Sequence, residues 1–355
     1  MADLQRAVQA LLDELVESGE EVGLQAAVYV EGQPAADCMA GWRSQDRETL
    51  VSEDTLFTTF SCTKGVVASA VHILAERGLI DYGRPVAEYW PAFAEAGKGS
   101  VSVAQALNHL AGIPQTVLVE GKSTAEIWAD LDLCVAEAAR LDPIFPPGST
   151  VCYHGLTFGW IAEGIVRGLG LSLGEVVAEE IVKPLHMGNE MYLGTPASEH
   201  SRMATPFEKP PSGEPPEIDP LALRCVPPDI AEALNRPEVR STQVAAANMS
   251  ATARALARHY RVPSGIRGAS GAGPIAAYRP SGCPVPTKPC PPPASDPARG
   301  GLSAEHREQG PDHVLWPQSE GLRPRWPRRQ LRQRRPGGEG GTRLHEDITP
   351  HRSDS

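Results

Sequence analysis

The sequence predicts an α+β fold, and three observations carry that expectation. Leu4, Val8, Leu11, Leu12, Leu15 and Val16 recur at helical spacing opposite Asp3, Gln5, Arg6, Gln9, Asp13 and Glu14, the pattern of an amphipathic helix with one buried face. Two apolar stretches, 24–31 and 35–42, flank Gly32-Gln33-Pro34 and read as an antiparallel hairpin. Helical patterns then recur at 61–78, 102–110, 123–141, 157–167, 172–182 and 245–260. A lone hairpin is marginally stable and leaves unpaired edges, so further strands are expected from elsewhere in the chain.

With 355 residues, 41% of them hydrophobic, the chain can bury the core of one large domain or two. No run approaches 18 apolar residues, and Met1-Ala2-Asp3-Leu4-Gln5 lacks the basic and apolar regions of a signal peptide. A soluble, cytoplasmic protein with no membrane partner is therefore expected. The seven cysteines are odd in number and contain no Cys-x-x-Cys, which argues against a disulfide framework or a zinc site. They read as reduced thiols, mostly filling the core, and neither a metal nor a cofactor is expected.

The net charge of −11 joins two unlike regions. From residue 263 onward, 14 Lys+Arg stand against 9 Asp+Glu, a net of +5. Of the totals of 33 and 44, this leaves 19 and 35 in residues 1–262, a net of −16. The C-terminal region also holds 16 of the 34 prolines and none of the 6 phenylalanines, so a boundary is placed near Val262-Pro263.

Chemistry concentrates in Thr58-Thr59-Phe60-Ser61-Cys62-Thr63-Lys64-Gly65-Val66-Val67. Residues three apart on a helix share a face, so a helix starting near Ser61 brings the Lys64 amine beside the Ser61 hydroxyl. A serine hydroxyl attacks well only when a neighbour takes its proton, and lysine can do so only with a lowered pKa. The positive end of a helix disfavours an ammonium there, and its N–H groups suit an oxyanion. The same residues also fit a plain helix-opening serine followed by an exposed lysine, and context has to decide. Val66, Val67, Ala70, Val71 and Leu74 nearly encircle this helix, which marks it as central, and Gly78 is suited to its left-handed cap.

Ser102 with Gln105 forms a capping box for a short helix through Leu110, and Ala111-Gly112-Ile113-Pro114 breaks it. The 123–141 helix is closed by Asp142-Pro143 and the turn Pro146-Pro147-Gly148. Tyr153 follows that turn and precedes a helix, so its phenol either projects into a cleft or packs at the helix start. Gly170-Leu171-Ser172-Leu173-Gly174 matches Gly-x-Ser-x-Gly and makes Ser172 a rival nucleophile. That motif requires a strand before the serine, however, whereas 157–166 is helical in pattern and Ser172 with Glu175 reads as an ordinary capping box. Residues 206–228 are proline-rich and read as a surface excursion.

Taken in order, Ser61-Cys62-Thr63-Lys64, then Leu107-Asn108-His109-Leu110-Ala111-Gly112-Ile113-Pro114, then Phe145-Pro146-Pro147-Gly148-Ser149 running into Tyr153, Gly159 and Lys183-Pro184-Leu185-His186-Met187-Gly188, the chain resembles the serine β-lactamase-like hydrolases. The likeness is to the esterases related to class C β-lactamases and D-amino-acid peptidases, and it covers residues 5–262. It implies a helical domain beside an antiparallel sheet. It also implies that Ser61 is acylated, that Lys64 is its base or the base's partner, and that Tyr153 shuttles protons. The second motif of such proteins commonly runs Tyr-x-Asn or Tyr-x-Ser, whereas here it is Tyr153-His154-Gly155, which points away from β-lactam hydrolysis and toward small acyl esters. The implied partner is a small-molecule ester or amide. A D-amino-acid peptidase or weak β-lactamase is the alternative enzyme, and a catalytically impaired remnant or scaffold is the alternative of another class.

The resemblance places most remaining strands, and a third motif of Lys-Thr-Gly or His-x-Gly type, in the C-terminal third. There the chain reads Pro-Cys-Pro-Pro-Pro, Arg-Pro-Arg-Trp-Pro-Arg-Arg and Gly-Gly-Glu-Gly-Gly, compositions that do not build a sheet. An incomplete sheet is expected, with 263–355 a disordered tail or a frame-shifted reading of the gene. The seven arginines of 323–335 around Trp326 suggest nucleic-acid binding, a reading weighed below that of a solvated tail.

Overall fold

The computed structural model describes residues 2–208 and 220–261. The first helix, α1, spans Ala2–Glu17 and is followed by β1 (Gly23–Val30) and β2 (Gln33–Gly41), paired antiparallel. The hairpin turns at Glu31-Gly32, with φ of 52° and 76°, rather than at the expected Gly32-Gln33-Pro34. A two-residue hairpin turn of this kind needs positive φ at both centres, which Gly32 adopts freely, and this leaves Gln33 and Pro34 to begin β2. Pairing steps from Val28↔Ala36 to Tyr29↔Pro34, so Ala35 is the extra residue of a bulge. Leu24, Ala26, Val28, Ala36, Cys38 and Ala40 share one face and pack on Val8 and Leu12 of α1.

A short strand β3 (Phe57–Thr58) leads into α2 (Cys62–Glu76). The end of α2 follows the expected cap. Gly78 has φ of 72°, its N–H donates to Ala75 O at 2.9 Å, and the Leu79 N–H donates to Leu74 O at 3.0 Å. The helix is central, as its composition predicts. Val66, Val67, Ala70, Val71 and Leu74 are buried together with Ile161, Ile165, Leu173 and Val177. Fully burying a valine or leucine side chain contributes about 1.5–3 kcal/mol, so this one helix anchors a large part of the core.

The capping box at Ser102 and Gln105 is present and opens α3 (Val103–Leu107), which ends earlier than the expected Leu110. The single helix expected at 123–141 is two, α4 (Thr124–Trp128) and α5 (Leu131–Arg140). Asp130 causes the break, since its carboxylate accepts the Leu133 N–H at 2.9 Å and caps a new helix instead of continuing the old one. Helix α6 (Thr157–Gly168) and α7 (Leu173–Val177) follow, α7 passing into one wider turn at Ala178–Val182.

Two further short strands, β4 (Met191–Tyr192) and β5 (Ser250–Ala251), join β3 in an antiparallel sheet of order β3-β5-β4. The 245–260 stretch is therefore not one helix. Only α8 (Ala253–Tyr260) is helical, opened by Thr252, whose hydroxyl accepts the Ala255 N–H. Among the described residues the hairpin gains no third strand. Helix α8 meets it instead, with Gln25 Oε1 accepting the Ala253 N–H and Arg254 bridging Asp37 and Glu190. Helices and small antiparallel sheets together make the α+β fold that was expected. The tail at 263–355, its arginine run and any third motif there lie outside the described residues, as does much of the 206–228 excursion.

Candidate active site

Ser61 stands at the N-cap of α2 but does not act as a cap. A serine there normally accepts an N–H from the first turn. Ser61 makes no such bond, because the Cys62, Thr63 and Lys64 N–H groups already donate to Thr59, Phe60 and Ser61 carbonyls at 3.1, 2.9 and 3.1 Å. The positive φ of Phe60, 44°, starts that tight turn. The Ser61 hydroxyl is thereby left exposed and uncommitted to the backbone, and Ser61's own N–H has no hydrogen-bond partner among the described residues.

One turn on, Lys64 is 8% exposed, with Nζ 3.1 Å from Ser61 Oγ and donating to Ala246 O at 2.9 Å. Burial holds its pKa below the ordinary value, with the nearby Tyr153 hydroxyl opposing. From the segment between α5 and α6, Tyr153 brings its hydroxyl to donate to Ser61 Oγ at 2.7 Å, while its ring lies 4.9 Å from Lys64 Nζ. Tyr153, 92 residues beyond Ser61 in the chain, is thus brought to the Ser61–Lys64 pair.

The 244–251 segment, most of it inside the helix expected at 245–260, forms the floor beneath Lys64. Its Met249 carbonyl accepts from the Thr59 N–H at 2.8 Å and the Thr59 hydroxyl at 3.0 Å, and the Met249 N–H donates to Thr63 Oγ1 at 3.2 Å. Buried Asn248 fixes the bend, donating to Val239 O and Thr242 O and accepting from the Val244 N–H. Behind this segment is Gly159 of α6, where a Cβ would lie 2.6 Å from the Ala245 carbonyl carbon and 2.7 Å from Ala246 N. Only a glycine lets helix and segment approach so closely.

Two histidines border Tyr153. His109, with φ of 60°, has its ring centroid 4.9 Å from that of Tyr153. Burial and the Lys64 charge pull its pKa down to about 4. His154 is fully buried, accepts the Ile113 N–H on Nε2 at 3.1 Å and lies 2.6 Å from Cys152 O through Nδ1. A ring that accepts on Nε2 carries its proton on Nδ1, so His154 is neutral, and burial takes its pKa to about 4. The motif containing His109 was visible in sequence but carried no assigned role, and Ala246 acts through a backbone atom that no side-chain pattern marks.

The rival Ser172 is engaged elsewhere. Its hydroxyl accepts the Glu175 N–H at 3.4 Å and the Gln243 amide at 3.4 Å, and the element before it is a helix, not a strand. The reciprocal half of the expected Ser172–Glu175 box is not formed. Among the described residues no cluster of His, Cys, Asp and Glu is arranged to hold a metal ion, and no helix is long and apolar enough to cross a membrane.

Fold and site define an α+β protein with a buried Ser-x-x-Lys helix at its centre and a tyrosine brought over it. The chain matches the Beta-lactamase family over residues 8–288 and belongs to it. It is 33% identical over 251 residues to the esterase/β-lactamase LipL of Mycobacterium tuberculosis, covering 66% of this chain and 56% of that protein. Against the esterase EstB of Burkholderia gladioli it is 26% identical over 237 residues, covering 63% of this chain and 58% of EstB. The chain thus spans little more than half the length of these relatives. Among solved structures, a family VIII carboxylesterase superposes with a TM-score of 0.62 at 35% identity, covering 70% of this chain and 66% of that one. A penicillin-binding protein homologue from Caulobacter crescentus gives 0.62 at 34%, covering 71% and 67%.

Proposed function

We propose that this chain is a serine hydrolase that forms an acyl-enzyme on Ser61, acting as a carboxylesterase on small acyl esters. The observation that carries it is the placement of Ser61 Oγ, free of any capping bond, between Lys64 Nζ at 3.1 Å and the Tyr153 hydroxyl at 2.7 Å. Neutral Lys64 keeps one N–H on Ala246 O and turns its lone pair to the Ser61 hydroxyl. As Ser61 Oγ bonds to the ester carbonyl carbon, its proton passes to Lys64 and the carbonyl oxygen becomes an oxyanion facing the unpaired Ser61 N–H. The C–O bond to the alcohol then breaks, and the departing alkoxide takes a proton through Tyr153, which is restored from the Lys64 ammonium. Water attacks the acyl carbonyl by the same relay in reverse, releasing the acid and returning the proton to Ser61.

Gly155 supports the ester over the β-lactam. A Cβ there would lie 2.8 Å from Cys225 O, so the position two residues past Tyr153 has no room for the polar side chain that Tyr-x-Asn proteins carry. Cys38, Cys62 and Cys134 are free thiols, which suits the cytoplasmic location proposed here. Residues 1–262 are assigned as the hydrolase region and 263–355 as a separate tail, on composition. The family match ends at residue 288, inside that tail, and translating the other frames of the coding DNA beyond codon 262 tests whether a third motif lies out of frame.

The functional test is hydrolysis of p-nitrophenyl acetate by the full chain. The expected result is turnover that Ser61→Ala abolishes. Turnover indifferent to Ser61→Ala overturns the assignment, a folded chain without turnover favours the scaffold, and faster cleavage of a D-alanyl peptide or a cephalosporin favours the alternative enzymes.

A further inference from the structure

We propose that His109 is the positioning residue that holds the Tyr153 hydroxyl against Ser61. The inference rests on the assignment of Tyr153 as the proton relay. Tyr153 is 48% exposed and belongs to no helix or strand, so neither burial nor a backbone ladder fixes it. Its two chain neighbours are both tied to one residue instead. The Cys152 N–H donates to His109 O at 3.1 Å, and the His154 N–H donates to His109 Nδ1 at 3.1 Å. Between those bonds the His109 ring lies tilted against the Tyr153 ring, 4.9 Å centroid to centroid, with Phe158 5.4 Å away and His154 stacked at 5.7 Å. The clamp closes through His154, which bonds back to Cys152 O and takes the Ile113 N–H.

Two features of His109 are costly unless they do something. Its backbone is left-handed, φ 60°, a conformation uncommon outside glycine, although histidine, like asparagine and aspartate, adopts it more readily than most residues. Its Nδ1 must accept, which requires a neutral ring, and burial beside Lys64 enforces neutrality. Both put the acceptor under the residue that follows Tyr153. A hydroxyl at the end of a two-torsion side chain is placed no better than its own backbone, and a misplacement of about 1 Å at a reacting group costs up to roughly 100-fold in rate.

The test reads the second-order rate of fluorophosphonate labelling of Ser61 in the full-length chain, with folding checked by thermal melting. His109→Gly removes the ring while suiting the left-handed backbone, and His109→Asn keeps an acceptor at the same place and tolerates that backbone. His109→Leu fills the space without an acceptor and replaces His109→Gly if that variant does not fold. Tyr153→Phe is expected to slow labelling by about tenfold or more, within the range of a lost proton relay. His109→Gly should slow it comparably, the double variant no further than either alone, and His109→Asn should stay within about threefold of the parent. Normal labelling of Tyr153→Phe overturns the relay assignment itself. Slow Tyr153→Phe with normal His109→Gly or His109→Leu, multiplying effects in the double variant, or His109→Asn as slow as His109→Gly overturns the positioning role and leaves the relay standing.

Discussion

The carbonyl oxygen of Ala246 lies 2.9 Å from Lys64 Nζ, joining residues 182 apart in the chain. That bond orients the amine, and its position depends on how closely the 244–251 segment approaches α6. Gly159→Ala places a Cβ 2.6–2.7 Å from the Ala245–Ala246 backbone, which has to move away. The expected outcome is a drop in kcat/KM of about tenfold or more with a stability loss of about 1–3 kcal/mol, measured by ester hydrolysis and denaturant melts. Gly188→Ala, where a Cβ meets nothing within 4 Å, is the control and should leave both unchanged. Unchanged kcat/KM in Gly159→Ala removes the segment from the catalytic geometry.

Lys64 must be neutral to take a proton, and its pKa is held below 10.5 by burial. The neutral fraction rises with pH through the folded-state value, so kcat/KM rises with pH along a limb whose midpoint lies below 10.5. Lys64→Met should reduce kcat/KM by about 100-fold or more and abolish that limb. A limb unchanged in Lys64→Met assigns the titration to another group.

How much of this was legible in the sequence follows from what is local. The amphipathic α1, the capping box at Ser102 and the glycine cap after α2 depend on residues within one or two turns, and periodicity and cap chemistry reveal them. The helix expected at 245–260 begins only at Ala253, although Ala245, Ala246 and Ala247 favour a helix. Asn248 takes the Val244 N–H, and Met249 bonds across to Thr59 and Thr63, so tertiary contacts override local preference. Asp130 likewise competes for the backbone and splits one helix into two. Ser61, Lys64 and Tyr153 were found as residue types in order. Their mutual distances, the Ala246 carbonyl and the His109 clamp are products of folding, and no spacing rule contains them.

Two buried histidines, His154 and His259, and the half-buried His109 make the fold acid-sensitive. His109, His154 and His259 all have pKa values lowered to about 4 by burial, from an ordinary 6.5. Between those values the unfolded chain binds protons that the folded chain does not, so stability is full above pH 6.5 and is lost as pH falls toward 4. Fully buried His154 accounts for up to roughly 3 kcal/mol of this. Buried Glu163, whose pKa is raised by desolvation, acts in the opposite direction as a single group. Urea midpoints should therefore fall steadily from pH 7 to pH 5. A flat profile over that range contradicts neutral burial of the histidines.

The most direct measurement is the site of covalent modification. Full-length chain treated with a fluorophosphonate probe, digested and mapped by mass spectrometry should carry the label on Ser61. Ser172→Ala should label normally, with only the loss of about 0.5–2 kcal/mol expected for a removed helix cap. Label on Ser172, or a folded chain that takes no label, contradicts the assignment of Ser61 as the nucleophile.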